Sequence, residues 1–219
     1  QLIKDIDNYS NIKIALESLK ISDNGALLVL SFERWRAYQY WNGYEYRIGY
    51  NSSANDTNIN GLTEDQAYSL FRQDLKTAEK KLRSELGNKV THLTQNQYDA
   101  LVSFCYSVGS TSKVVVGSTI YDLRTAIRNA VDADSGIEST ADVWNNVASM
   151  IQGHDEQGDR RIAEASVLML GDYSDLKNRS WLRTEGIQDM RIKYPDRYKS
   201  NTKDGKSTGY QKRQAEFIY

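Results

Sequence analysis

The 219-residue sequence predicts a mainly helical α+β protein. Two observations predict the helices. Thr63-Glu64-Asp65-Gln66 and Thr94-Gln95-Asn96-Gln97 each place Gln three residues after Thr, the capping-box pattern of a helix start. After the first box, Ala67, Leu70, Phe71, Leu75, Ala78, Leu82 and Leu86 recur at helical spacing until Gly87 stops the run. A third observation predicts the strands: Tyr38 to Asn51 is rich in aromatic residues and is broken by Asn42-Gly43, a hairpin signal.

In chain order, Asp7 or Ser10 caps a short helix over 11–20, and Ser22 or Asp23 caps another over 24–33. Apolar residues fill nearly every position from Ala26 to Leu30, so this helix is expected to be buried on most sides, with Glu33 where it emerges. Short strands follow, and Asn51 to Gly61 reads as a loop or a third edge strand. The helix after the second capping box runs through Tyr106 and stops at Ser107-Val108-Gly109. Within it Asp99, Ser103 and Ser107 are polar exceptions, expected to act as hydrogen-bonding support. Gly117-Ser118-Thr119-Ile120 is expected to open another capped helix through about Val131, followed by a polar loop from Asp132 to Thr140. A short helix from Ala141 to Ile151 carries Trp144, Val147 and Met150. A last helix begins near Gly158 and contains Ala165, Leu168, Met169 and Leu170. The tail, 174–219, is basic and aromatic, with Trp181, Tyr194, Tyr198, Tyr210 and Tyr219, and holds the only proline, Pro195.

Bulk properties exclude several classes. With 28 basic and 29 acidic residues the net charge is -1, which leaves no electrostatic footprint for nucleic acid. The longest apolar run, Gly25 to Phe32, is far shorter than a membrane span. The single cysteine, Cys105, cannot form an internal disulfide and is expected to be a buried, inert thiol. His92 and His154 have no ligand spacing around them, so no metal and no cofactor is assigned. The sequence starts at Gln1 without Met and shows no signal peptide, from which we expect a trimmed or processed chain or an excised domain.

The chemistry concentrates in Ser31 to Asn51, SFERWRAYQYWNGYEYRIGYN. A carboxyl group just off an apolar helical face loses solvation, which favours its protonated form, the state a general acid needs. The aromatic faces that follow suit the apolar faces of sugar rings. From the residues alone a plainer reading also fits: a solvated charge at a helix end beside an ordinary Tyr-rich sheet.

The stretch resembles the active-site segment of the phage-type lysozymes, glycoside hydrolase family 24. That segment runs Glu-Gly, aromatic or Leu, Arg, two residues, Ala-Tyr, one residue, Asp, then a turn into Ile-Gly-Tyr-Gly. Glu33 falls on the family's catalytic Glu, Tyr40-Trp41 on the pair before the Asp, and Arg47-Ile48-Gly49-Tyr50 on the turn. The chain departs from the pattern at Asn42, which stands where the family has Asp, and at Arg47, where Thr is frequent. Arg34 and Asn51 replace two glycines, and Asn tolerates the positive φ such a turn requires. Similarity continues in Thr63 to Ala67 and Arg72 to Leu75, most specifically in Leu93 to Phe104 with Tyr106-Ser107-Val108-Gly109, and again in Gly117 to Ile120. It ends in Gly158-Asp159-Arg160-Arg161-Ile162-Ala163-Glu164, where the family carries an Arg that pairs with the catalytic Glu.

This resemblance implies a lysozyme-like fold, with a small antiparallel sheet lobe and a larger helical lobe separated by a cleft. The lysozyme-like domain is expected over 22–173, after an N-terminal helical extension, 1–21, and before a C-terminal extension, 174–219. It implies a peptidoglycan-cleaving muramidase with Glu33 as general acid, Asn42 and Arg47 at the other catalytic positions, Arg160 and Arg161 in support, and Tyr40, Trp41, Tyr50 and Ser107 against substrate. Because Asn42 cannot ionise, three outcomes stay open: transglycosylase-type cleavage by Glu33 alone, hydrolysis with Glu45 or another carboxylate as substitute, or an inactive fold that serves binding or assembly. The expected partner is the glycan strand of the bacterial cell wall, reached from a phage virion or within the host cell, with phage structural proteins as partners of the termini.

Overall fold

The computed structural model describes residues 19–33, 35–55, 60–134, 140–154 and 158–173. The extension over 174–219 and nearly all of the helix expected over 11–20 lie outside the described residues. The chain separates into two units, Gln1–Leu28 with Thr77–Tyr173 and Val29–Lys76 with Ser174–Tyr219. Helices α1 (Asp23–Leu30) and α2 (Glu64–Leu86) each run from one unit into the other.

The first unit is helical. It holds the end of α2, a 3-10 segment (Gly87–His92), α3 (Gln95–Val108), α4 (Leu123–Asp134), α5 (Thr140–Gln152) and α6 (Gly158–Leu170). The capping box of α3 forms as its sequence predicts, with Thr94 and Gln97 each bonding the other's backbone N–H, and Gly109 ends the helix at φ 84°. Leu101, Phe104, Ile127, Val147, Ile151 and Leu168 make a dry core. Helix α6 is tied to the start of α3 by Asn96, whose side-chain amide donates to the carbonyls of Val167 and Leu168.

Two of the buried carboxylates of this unit tie its elements together. Asp99 is fully buried and accepts from the Ser22 N–H and hydroxyl, the Gln95 amide and the Tyr173 hydroxyl. Gly25 lets α1 come this close: a Cβ at that position would lie 2.5 Å from Asp99 Cγ. Glu85 accepts from the Ser110 and Thr111 hydroxyls and the Thr111 N–H. Its burial favours protonation, but these hydrogen bonds and Lys81 outweigh it and hold the carboxyl below its ordinary range. Cys105 is buried, and burial pushes its thiol well above the usual range.

One sequence expectation is corrected here. Gly117-Ser118-Thr119-Ile120 does not open a helix. It forms the turn and second strand of a hairpin, β4 (Val114–Val116) and β5 (Thr119–Tyr121), with Gly117 at φ 59°. Three consecutive valines favour extended backbone, and the helix waits for Asp122, whose carboxylate caps the Thr125 N–H and hydroxyl.

The second unit is built on a three-stranded antiparallel sheet in the order β1 (Arg36–Trp41), β2 (Tyr46–Gly49), β3 (Ser52–Ser53). Tyr40 faces Arg47 and Trp41 faces Tyr46, with a bulge between Arg36 and Tyr40. The hairpin loop is longer than Asn-Gly alone suggests, spanning Asn42 to Glu45. The turn into β3 puts Asn51 at φ 69°, as its sequence predicts. The start of α2 is capped by Thr63 and Gln66, again as predicted. Trp35, Tyr50, Phe71 and Tyr68 form a chain of ring contacts, and the Tyr50 hydroxyl donates to Glu64. The architecture is therefore mainly α with small antiparallel sheets.

The Gly25–Asp99 approach yields a sharp expectation. Gly25→Ala should lower stability by about 1–3 kcal/mol, the usual cost of overpacking, measured as a shift in urea midpoint at unchanged m-value. An unshifted midpoint would show that Asp99 moves away without cost.

Candidate functional site

Glu33 stands just beyond α1. The helix ends at Leu30, three residues short of the sequence expectation, because its last turn tightens: Phe32 N–H bonds to Val29 O and Glu33 N–H to Leu30 O, both i to i−3. The apolar run before it is buried as expected, and it carries Glu33 down with it. The residue is only 7% exposed. A carboxylate removed from water to this degree is costly unless its surroundings serve it, so this is no solvated helix-end charge.

Asn42 is exposed at the end of β1. Its side-chain oxygen accepts from the N–H groups of Tyr44 and Glu45, both at 2.9 Å, while its own N–H donates to Glu45 O. This is an Asx-type turn, and it is what lengthens the hairpin loop. Glu45 pairs with Arg47 through one oxygen and accepts from the Ser53 hydroxyl through the other. Arg47 also donates to the Asn51 carbonyl at 2.9 Å. Asp74 on α2 lies near the same guanidinium; burial raises its carboxyl above the ordinary range, and the Ser52 hydroxyl and the Arg47 charge only partly offset this.

The aromatic residues divide by burial. Tyr40 is half-buried, lies under the Arg36 guanidinium and donates to Asn51. Trp41 is 58% exposed and meets Tyr46 edge-on, with ring centroids 5.2 Å apart. Tyr50 sits in the core with its hydroxyl committed to Glu64, so it packs the sheet rather than presenting a face.

Arg160, Arg161 and Ser107 belong to the first unit. Both arginines are 1% exposed, although both lie at a helix start, where cations are disfavoured. The residue that offsets this is Glu164, fully buried one turn on. Arg160 binds one of its oxygens at 3.0 Å and Arg161 the other. Ser103 donates to Glu164 at 2.6 Å and its carbonyl accepts from Arg160; Ser107 accepts from Arg161. Asp99, Ser103 and Ser107, the polar exceptions of α3, thus all serve as supporting hydrogen-bond partners, as expected. Glu164 is not among the partners expected from sequence, although its spacing of three and four residues from the two arginines signals the pairing. Tyr44 and Tyr46 fall in the aromatic-rich stretch and Glu64 in the first capping box, but nothing in the spacing marks Asp74 as a neighbour of Arg47.

Asp74 gives a test of the site's electrostatics. Its folded-state pKa lies above its ordinary value, so the folded state loses stability as pH rises and Asp74 ionises; the penalty is absent in acid and grows as pH rises. Asp74→Asn removes it. The variant should be more stable than the native chain at pH 7, and the gain should vanish below about pH 4, near the ordinary carboxylate pKa. Denaturant titrations at both pH values measure this.

No curated protein sequence matches the chain. Among solved structures, the muramidase domain of SpmX from Asticaccaulis excentricus aligns at 24% identity, covering 68% of this chain and 97% of that one with a TM-score of 0.47. An endolysin from Escherichia coli O157:H7 phage FAHEc1 aligns at 19% identity, covering 71% and 97% with a TM-score of 0.49. The sequence model of the phage lysozyme family matches residues 31–164, more than half of the chain and a span that starts just before Glu33 and ends at Glu164. The chain belongs to the phage lysozyme family.

Proposed function

We propose that the chain is a peptidoglycan-cleaving, muramidase-like enzyme in which Glu33 is the general acid. The observation that carries this is the burial of Glu33 at the end of an apolar helix, inside the segment matched by the family. A carboxyl group fixed at the end of a buried apolar segment is held in place and out of bulk water, as a group that delivers a proton to a glycosidic oxygen must be.

The second catalytic group decides the type of cleavage. Hydrolysis of a glycoside uses a second carboxylate to activate water or to attack. Asn42 cannot take a proton at neutral pH, and its carbonyl oxygen already accepts two backbone N–H groups. Glu45 has each oxygen engaged, one by Arg47 and one by Ser53. Transglycosylase-type cleavage needs neither. Glu33 protonates the leaving oxygen; as a carboxylate it then removes the proton from the substrate's own 6-hydroxyl, which attacks the anomeric carbon. The glycosidic C–O bond breaks, a 1,6-anhydro ring closes, and Glu33 ends protonated as it began. In this reading Asn42 and Arg47 shape the hairpin beside the reacting sugars. Tyr40, Trp41 and Ser107 contact substrate, Tyr50 supports the sheet beneath them, and Arg160 and Arg161 contribute positive charge.

A second reading is favoured by the same Asn42: a non-catalytic lysozyme-fold module that binds glycan or takes part in assembly of a phage particle or delivery machine. The termini would then meet phage structural proteins. In either reading the place of action is the bacterial cell wall, approached from a virion or from within the host.

Purified sacculi and product masses separate these readings. The native protein should release muropeptides with anhydro ends. Asn42→Asp keeps the acceptor oxygen and hence the turn, and restores a carboxylate; it should add reducing-end products, with a rate gain of ~10²–10⁴, the worth of a positioned general base. Reducing ends from the native protein would exclude the transglycosylase route. No release from either protein would favour the non-catalytic module.

A further inference from the structure

Beyond the residues proposed as catalytic, the β1–β2 hairpin presents exposed aromatic rings. Trp41 and Tyr46 are cross-strand partners, so their side chains leave the sheet on the same side. The neighbouring pair, Tyr40 and Arg47, leaves on the other side and makes polar contacts there: Tyr40 with Arg36 and Asn51, Arg47 with Glu45 and Asn51. Among the described residues, the contact found on the Trp41 side is the edge-on meeting of Trp41 and Tyr46. Trp41 is 58% exposed, Tyr46 55% and Tyr44, in the loop between them, 90%. Three large rings in one hairpin therefore face solvent, while Trp35, Tyr50 and Phe71 of the same unit are buried.

We infer that Trp41, Tyr44 and Tyr46 form a stacking platform for uncharged N-acetylated hexosamine rings, extending the glycan contact of the proposed enzyme along the hairpin. The inference rests on that functional reading and names a substrate contact for it. Each ring pairs an apolar face with a polar edge, an indole N–H or a phenol hydroxyl. A pyranose has the same division, with an apolar C–H face and a rim of hydroxyl and acetamide groups. Size favours a sugar over a protein. Three such rings offer about 300–500 Å² of contact, whereas a stable protein partner needs ~800 Å² a side. The platform is also continuous with the matched family segment, since Trp41 directly precedes Asn42.

The probe is chitotetraose, an uncharged N-acetylglucosamine tetramer, titrated into the full chain and followed by calorimetry, with circular dichroism as a control for folding. Trp41→Ala with Tyr46→Ala should weaken binding at least tenfold at unchanged thermal midpoint, and Trp41→Phe should lose less than threefold because a stacking face remains. Tyr44→Ala should show an intermediate loss. Affinity of the double variant within twofold of native would overturn the platform. So would sedimentation showing a native dimer that the double variant abolishes, since the face would then bind a second copy. Muropeptide release is scored separately. Chitotetraose bound through the hairpin without any release keeps the platform and removes the enzymatic reading; release that survives the double variant with unchanged affinity does the reverse.

Discussion

The helical unit depends on burying charge without stranding it. Two guanidinium groups and one carboxylate, Arg160, Arg161 and Glu164, sit almost wholly out of water at the start of α6. Such a group is tolerated only when nearly every donor and acceptor finds a partner, and losing one member of a buried ion pair typically costs ~3–5 kcal/mol. The partners come from α3: Ser103 and Ser107 are spaced by four residues and so line one face of that helix toward α6. The ion cluster thereby sets the register between the two helices, and Asn96 repeats the tie one end further along.

The sheet unit solves a different problem, that of holding a long hairpin without much core. It uses asparagine twice. Asn42 folds the loop through its side-chain oxygen, and Asn51 takes a left-handed backbone while its side chain and carbonyl bind Tyr40 and Arg47. One face of the hairpin is thus locked by polar contacts, which leaves the opposite face free to carry exposed rings. Asn42 needs no charge for this role: its acceptor oxygen is all that the turn requires.

Much of this was legible in the sequence because local signals and tertiary structure agree. Both capping boxes form, the period of α2 matches its buried stripe, Asn51 takes the positive φ expected of it, and Cys105 is buried. The failures have physical causes. Gly117 followed by Ser-Thr resembles a helix cap, whereas the three valines before it commit the chain to a strand. The end of α1 was misplaced because a 3-10 turn continues the helical pattern with one residue less per hydrogen bond. The exposure of Trp41, Tyr44 and Tyr46 was hidden because aromatic residues in a strand give the same pattern whether they face the core or solvent. The resemblance points to Glu33, the apolar run before it points to its loss of solvation, and the structure buries it.

The account stands on Glu33 acting as an acid from a desolvated position. Its most direct measurement compares muropeptide release from purified sacculi by the native protein and by Glu33→Gln, a change that keeps size and hydrogen-bonding capacity but removes the titratable proton. The account predicts release by the native protein and a loss of at least a hundredfold in the variant at unchanged circular dichroism and thermal midpoint. Equal release by the two proteins would contradict it.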